Sequence, residues 1–301
     1  RNRFADKFYA LGKEDPRLAI VVADISPAGA LNKFRAEFPD RFLNVGVAEQ
    51  VMIGIAAGMA MRGMRPFAYT IATFSIFRPF EFVRDDLCYQ DLPVTVVGMS
   101  AGVTYSTLGG THHAMEDIAI TTAIPNMQVV APCDPPEADE MTEYLARESM
   151  KPTYMRIGKA GEPTITNGAE KFRFGKIRYL RRGDGVCVMS FGATCKKAMD
   201  VADRLRDLGE STSVVSVHTL KPLDKAGVID ALRTHRQVIV IEEHVPHGGL
   251  GPRVKEIAWD AKATCRIDAF SLQDEFIHHY GDHDPLLEQH VLGVNRIVEQ
   301  V

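Results

Sequence analysis

In the run Val45-Gly46-Val47-Ala48-Glu49-Gln50, followed by the small apolar stretch Val51 to Met61, Glu49 is the one ionisable residue before Arg62. Gly54, Ala56, Ala57, Gly58 and Ala60 suit a helix that other elements approach closely. A carboxyl group buried at the mouth of such a helix loses hydration, which favours its protonated form near neutral pH. A neutral carboxylic acid donates a hydrogen bond to a ring nitrogen, and a carboxylate does not. The structural alternative is a first-turn carboxylate stabilised by the helix macrodipole. Further along, Gly109-Gly110-Thr111-His112-His113 is a flexible turn delivering two imidazoles. That side chain suits proton transfer near pH 7, although a histidine pair on a loop is often simply solvated. Phe74, Phe77 and Phe80 recur every third residue, which on a helix spans an arc of about 120°. Such a stripe is more often core than binding wall. Asp24, ending an apolar run, sits where open α/β sheets bind ligands. Arg156 ends another run; its side chain suits bidentate phosphate contacts and salt bridges alike.

The elements that must position these residues alternate. Short β-branched runs are predicted as strands at 19–23, 42–45, 66–70, 94–99, 127–131 and 153–156, with helices over 4–11, 48–61, 80–89 and 136–148 between them. Asp134 is expected to cap the last of these, with proline in its first turn. Pro79 fits a first helical turn and not an interior, so Phe74 is expected on the approach and Phe80 inside the helix. Gly158 to Gly168 reads as a linker. Beyond it, strands are predicted at 185–190, 213–217, 238–242 and 266–270, with helices over 193–208, 225–234 and 251–262. The fold class is α/β, with two domains, each a mostly parallel sheet flanked by helices.

Composition narrows the function. The chain has 301 residues, 46% hydrophobic and 25% charged, and a net charge of −4 with both signs interspersed. Nothing there favours nucleic acid or a membrane, and no apolar run approaches the ~18–20 residues of a spanning helix. No secretory leader is evident, and the five scattered cysteines read as reduced thiols of a cytoplasmic protein. The histidines form no HExxH motif, so no protein-bound zinc is expected.

Taken with the residues downstream, Arg41-Phe42-Leu43-Asn44-Val45-Gly46-Val47-Ala48-Glu49-Gln50 resembles the signature of transketolases and deoxyxylulose-phosphate synthases, which use thiamine diphosphate. Ala72-Thr73-Phe74-Ser75-Ile76-Phe77, Gly110-Thr111-His112-His113 and Ile124-Pro125-Asn126-Met127 follow in the family's order. The resemblance covers essentially the whole chain, but only the C-terminal half to two-thirds of the usual family polypeptide. It implies a pyrimidine-binding domain over residues 1–165 and a transketolase C-terminal domain over 175–301. Glu49 would bond the cofactor's aminopyrimidine and favour its imino tautomer. Phe77 would lie on that ring, a contact of about 0.5–1.5 kcal/mol beyond burial, with Phe74 and Phe80 completing the pocket. Asp24 would lie near the thiamine, and His112, with His113 beside it, would face the substrate's reacting carbon. Arg156 would hold the substrate phosphate, with Arg1 as a second phosphate-site arginine. Leu108 stands near where relatives with Gly-Asp-Gly-Pro-Thr-His carry an aspartate that reads substrate hydroxyls; leucine cannot, which favours a less hydroxylated substrate, unless the alignment slips by a residue and Ser106 or Thr107 supplies that contact.

The resemblance also implies a missing part. Family members hold the pyrophosphate and Mg²⁺ with a Gly-Asp-Gly motif and a later asparagine. The one such tripeptide here, Gly183-Asp184-Gly185, precedes a strand of the second half and reads as a turn, and no asparagine lies between Asn167 and Asn295. An N-terminal transketolase-like partner subunit is therefore expected to supply the pyrophosphate and Mg²⁺ ligands, in an α2β2 heterotetramer. The expected activity is transfer of a two-carbon ketol unit between small sugar phosphates. The alternatives are a decarboxylating synthase of the deoxyxylulose-phosphate type, the β subunit of a 2-oxoacid dehydrogenase decarboxylase, or a non-catalytic regulatory paralogue. The segment Glu242 to Gly251 resembles part of the family's C-terminal domain, whose role is assembly more than catalysis.

Overall fold

The structure, a computed structural model, describes residues 1–25 and 29–301. Twelve strands are present among the described residues. The first six are β1 (Leu18–Val22), β2 (Phe42–Asn44), β3 (Arg65–Ile71), β4 (Thr95–Met99), β5 (Gln128–Val130) and β6 (Thr153–Ile157). The others are β7 (Arg178–Arg181), β8 (Val186–Ser190), β9 (Thr212–Ser216), β10 (Thr219–Lys221), β11 (Gln237–Ile241) and β12 (Arg266–Phe270). They form a seven-stranded sheet, ordered β10-β5-β6-β4-β3-β1-β2, and a five-stranded sheet, ordered β12-β11-β8-β9-β7. Every pairing is parallel except β10 with β5 and β7 with β9. This is the two-sheet α/β fold expected from the alternation. In β1, β4, β6, β8 and β11 every residue is buried, as a parallel sheet covered on both faces requires.

The ten strands predicted from β-branched runs are present, their ends shifted by a residue or so. Two edge strands, β7 and β10, are additions. Arg178-Tyr179-Leu180-Arg181 carries too much charge, and Thr219-Leu220-Lys221 is too short, to stand out as an apolar run. β10 follows β9 in the chain but pairs with the first sheet, Thr219 opposite Val130. One apolar cluster likewise joins Met127 and Tyr154 to Phe191, Val217, Leu220 and Leu250.

Helix positions differ in several places. The helix predicted over 80–89 is a short α turn, Phe80–Phe82, continuing as a π-helix, Val83–Tyr89. Over seven residues the apolar spacing does not separate i→i+5 from i→i+4 bonding. Phe74 lies within a short helix, Ala72–Ile76, rather than on an approach, while Pro79 immediately precedes the next helical turn. Helices at Ala30–Glu37, His283–Gln289 and Val294–Gln300 are further additions to the pattern expected from sequence. The cap at 134 is as expected: Asp134 Oδ1 accepts the Glu137 N–H at 2.9 Å. No helix among the described residues is long and apolar enough to cross a membrane.

Candidate active site

Five parallel strands of the first sheet deliver candidate residues at their carboxyl ends: Asp24 after β1, Glu49 after β2, Phe74 after β3, the His112 loop after β4, and Lys159 after β6. This edge is where open α/β sheets bind ligands. A sharp turn aims Glu49. Asn44 Oδ1 accepts the N–H groups of Asp24 at 3.2 Å and Gly46 at 3.0 Å, and Gly46 has φ +70°, a conformation glycine adopts freely. The helix Glu49–Met61 begins three residues later with Glu49, which is 3% exposed.

Glu49 is not the isolated acid expected from its neighbours in sequence. Arg78 Nη1 lies 3.0 Å from both carboxylate oxygens, so the buried acid is ion-paired. The Arg78 side chain is 44% exposed and covers Glu49 from the solvent side. From Arg78 a row of contacts runs on. Its guanidinium is 5.0 Å from the Phe74 ring centre, and the Phe74 ring meets His112 edge-on at 5.3 Å. Tyr105 approaches His112 from elsewhere at 5.9 Å, and Lys159 Nζ lies 5.0 Å over the Tyr105 ring. Phe77 packs half-buried on Ala72, Ala101 and Ala114, and Phe80 on the large apolar cluster.

His112 sits in the loop between β4 and the helix Asp117–Ala123, its Nδ1 3.0 Å from Thr111 Oγ1. A bridge between Gly102 and Ala114 closes the base of the loop. Leu108, at the tip, is 47% exposed. His113, next to His112, is buried, neither ring nitrogen makes a hydrogen bond, and burial lowers its pKa, favouring the neutral ring. Asp24 stands exposed on the same edge, at φ +42°, outside the row.

The placement of Arg156 does not match the phosphate contact expected of it. The side chain is 7% exposed; Nε donates to Asp117 Oδ2 at 3.0 Å and Nη2 to the Glu243 carbonyl at 2.9 Å. It ties the two halves together. A basic group on the open side is Lys159, which sequence reasoning missed; three positions past Arg156, it lies in the segment read as linker. Arg1 and Arg3 line a cavity of about 220 Å³ with Gly158 and Ala160, the neighbours of Lys159. Arg78 was also missed, although it directly follows the Phe74–Phe77 block.

A candidate site on the carboxyl edge of one mostly parallel sheet, backed by a second such sheet, defines an α/β protein of two packed units. The chain belongs to the transketolase family: residues 1–161 match "Transketolase, pyrimidine binding domain" and residues 175–297 match "Transketolase, C-terminal domain". It is 32% identical over 298 residues to an apulose-4-phosphate transketolase subunit from Actinobacillus succinogenes, covering 99% of this chain and 96% of that protein. It is also 32% identical to a putative transketolase C-terminal section of Methanocaldococcus jannaschii, covering 100% and 94%. Among solved structures, "Split gene transketolase, inactive beta4 tetramer" superposes with a TM-score of 0.88 at 32% identity, covering 99% of this chain and 95% of that one. The transketolase of Campylobacter jejuni shares the fold, with a TM-score of 0.80 at 17% identity, and this chain spans 46% of it.

Proposed function

We propose that this chain is the pyrimidine-side subunit of a two-chain, thiamine-diphosphate-dependent transketolase that moves a two-carbon ketol unit between sugar phosphates. The observation that carries this reading is the row from Glu49 through Arg78 and Phe74 to His112 along the carboxyl edge of the first sheet. The names of the relatives, a transketolase subunit and a transketolase C-terminal section, support the same reading.

The residues fit the cofactor's ring. Glu49 offers two carboxyl oxygens that share one guanidinium nitrogen, and a carboxylate has about four lone-pair sites, so it could still accept from the ring N–H of the aminopyrimidine's imino tautomer. Arg78, partly exposed, can remain on one oxygen or swing to solvent. Phe74 and Phe77 supply ring faces and exclude water. Thiamine diphosphate, when bound, supplies the nucleophilic carbon and the electron sink. His112 would hold and move protons on substrate oxygens, its ring set by Phe74, Tyr105 and Thr111. Lys159 takes over from Arg156 as the candidate for the substrate phosphate, as a point charge on the open side. The partner subunit would bring the pyrophosphate and Mg²⁺ ligands, in an α2β2 assembly.

The test is reconstitution with the cognate N-terminal subunit, thiamine diphosphate and Mg²⁺, followed by an assay of ketol transfer between sugar phosphates. Activity that needs both chains is expected, with no tight cofactor binding by this chain alone. Submicromolar cofactor affinity of the isolated chain by calorimetry, or a reconstituted complex without transfer, would overturn the reading.

A further inference from the structure

Both stems of the loop that carries Leu108 and His112 are fastened to the second half of the chain. The Val103 N–H donates to the Glu243 carboxylate at 2.6 Å, and the Val245 N–H donates to the Met115 carbonyl at 3.0 Å. Val103 and Met115 belong to the apolar cluster of the second sheet, with Val188, Ile241, Leu272 and Ile277. The tip of the loop is covered as well. A Cβ placed on Gly109 would lie 2.5 Å from the Tyr280 ring, so the ring rests against the bare α-carbon. A Cβ on Gly110 would lie 3.9 Å from the Ile277 carbonyl oxygen. The segment that brings Tyr280 is anchored on both sides. Ile277 is 3% exposed, and His283 Nε2 meets Glu243 Oε1 at 3.0 Å, the same oxygen that receives the Val103 N–H. One buried carboxylate thus holds the stem of the loop and the strap that crosses its tip.

We propose that Tyr280 is a positioning and specificity residue for the transfer reaction: it braces the Gly109-Gly110 turn, and through it His112, and forms an outer wall of the substrate mouth beside Leu108. This deepens the proposed function and rests on it. Two adjacent glycines give the turn a wide choice of backbone states, and a ring seated on the first removes many of them. His112 lies two residues beyond that turn, so freedom there becomes misplacement of the imidazole, to which proton transfer is sensitive. Tyr280 is still 71% exposed, so most of its ring remains free to meet substrate. An aromatic face next to leucine suits a sugar chain's C–H surface better than its hydroxyls.

The experiment compares Tyr280→Ala and Tyr280→Phe with wild type. In the reconstituted complex, Tyr280→Ala should lower kcat/KM for the ketose phosphate by about 10- to 10²-fold, with Tyr280→Phe recovering most of the loss. Thiazolium C2 proton exchange should stay at the wild-type rate, since Glu49 is untouched. In this chain alone, amide hydrogen exchange at residues 109–113 should quicken in Tyr280→Ala, while β8 and β11 keep their protection. An Ala variant within about twofold of wild-type kcat/KM, or unchanged exchange at 109–113, overturns the proposal. Slower C2 exchange also counts against it, because the effect would then not be confined to the loop. If the wild-type complex transfers no ketol unit, the proposed function fails and the amide exchange still decides whether the brace exists.

Discussion

Arg156→Ala removes a guanidinium that serves three groups at once: Asp117 Oδ2 at 3.0 Å, the Glu243 carbonyl at 2.9 Å, and the Phe191 ring, whose centre is 5.2 Å away. Asp117 is fully buried. Its Oδ1 has no partner, so its charge rests on Arg156 and on the Tyr154 hydroxyl, which donates to Oδ2 at 2.8 Å. Taking away one member of a buried ion pair typically costs about 3–5 kcal/mol, because the other charge is left stranded. The retained Tyr154 bond argues for the lower end, about 3 kcal/mol, a large share of the ~5–15 kcal/mol that holds a typical protein folded. For a domain of this size each kcal/mol moves Tm by about 2–4 °C, so the melt should fall by roughly 10 °C. Arg156→Lys keeps a charge but not the two-point fork, and should lose roughly half as much. Thermal and urea melts of the chain measure the stability; the KM for sugar phosphate, taken well below the melt, measures the substrate contact. If Arg156 sits as described, stability falls and KM moves by less than about threefold. An unchanged melt with KM raised tenfold or more would refute the reasoning and return the phosphate to Arg156.

Glu49→Gln keeps a donor but loses the carboxyl group, and should slow turnover by about 10²-fold or more with the fold intact. Thiazolium C2 exchange in the complex is the readout, and wild-type exchange would leave Glu49 a purely structural residue. Lys159→Ala should raise KM for phosphorylated substrates by about tenfold, roughly the worth of one charge-assisted contact, without moving the melt; a change in stability instead of KM would reverse its assignment. The His283–Glu243 pair makes stability pH-dependent. Burial opposes the charge on His283, but the Glu243 carboxylate, helped by Asp284 and opposed by Lys197, outweighs it and raises the pKa above 6.5. Glu243 itself is buried and held low by His283 and Arg156. A histidine with a raised folded pKa contributes fully below its unfolded value, and the contribution is lost as pH climbs through the folded value. Urea midpoints should therefore fall as pH rises above 6.5 in wild type and stay flatter in His283→Asn; equal slopes would show that the pair contributes nothing.

The architecture was legible because parallel strands covered on both faces leave continuous apolar runs, as in Leu18–Val22 and Gln237–Ile241. Strands buried on one side only, or too short to make a run, such as β7 and β10, left no such trace. Glu49, Phe74 and His112 could be picked out because each stands in a compact motif, and the fold does bring them to one edge. The partners of these residues could not. Arg78 reaches Glu49 from 29 positions away, and Arg156 turns inward because Asp117 and Glu243 wait for it from two other segments. Residue type alone says that an arginine suits phosphate; only the fold says that this one is already engaged. Nothing near Gly109 in sequence announces Tyr280, which arrives from the far end of the chain.

The pairing of β10 with β5 bears on how freely the two halves can be exchanged between relatives. A chimaera joined anywhere in the segment 158–175 inherits the last strand of its first sheet from the other parent. Thr219 and Lys221 must then fall opposite Val130 and Val129, across an irregular register. A donor whose strand is displaced by one residue would turn Leu220, now fully buried, toward the opposite face and strip backbone partners from β5. The exposed β5 edge would be open to strands of other chains. The two halves are thus a matched set, inherited together or repaired at that seam.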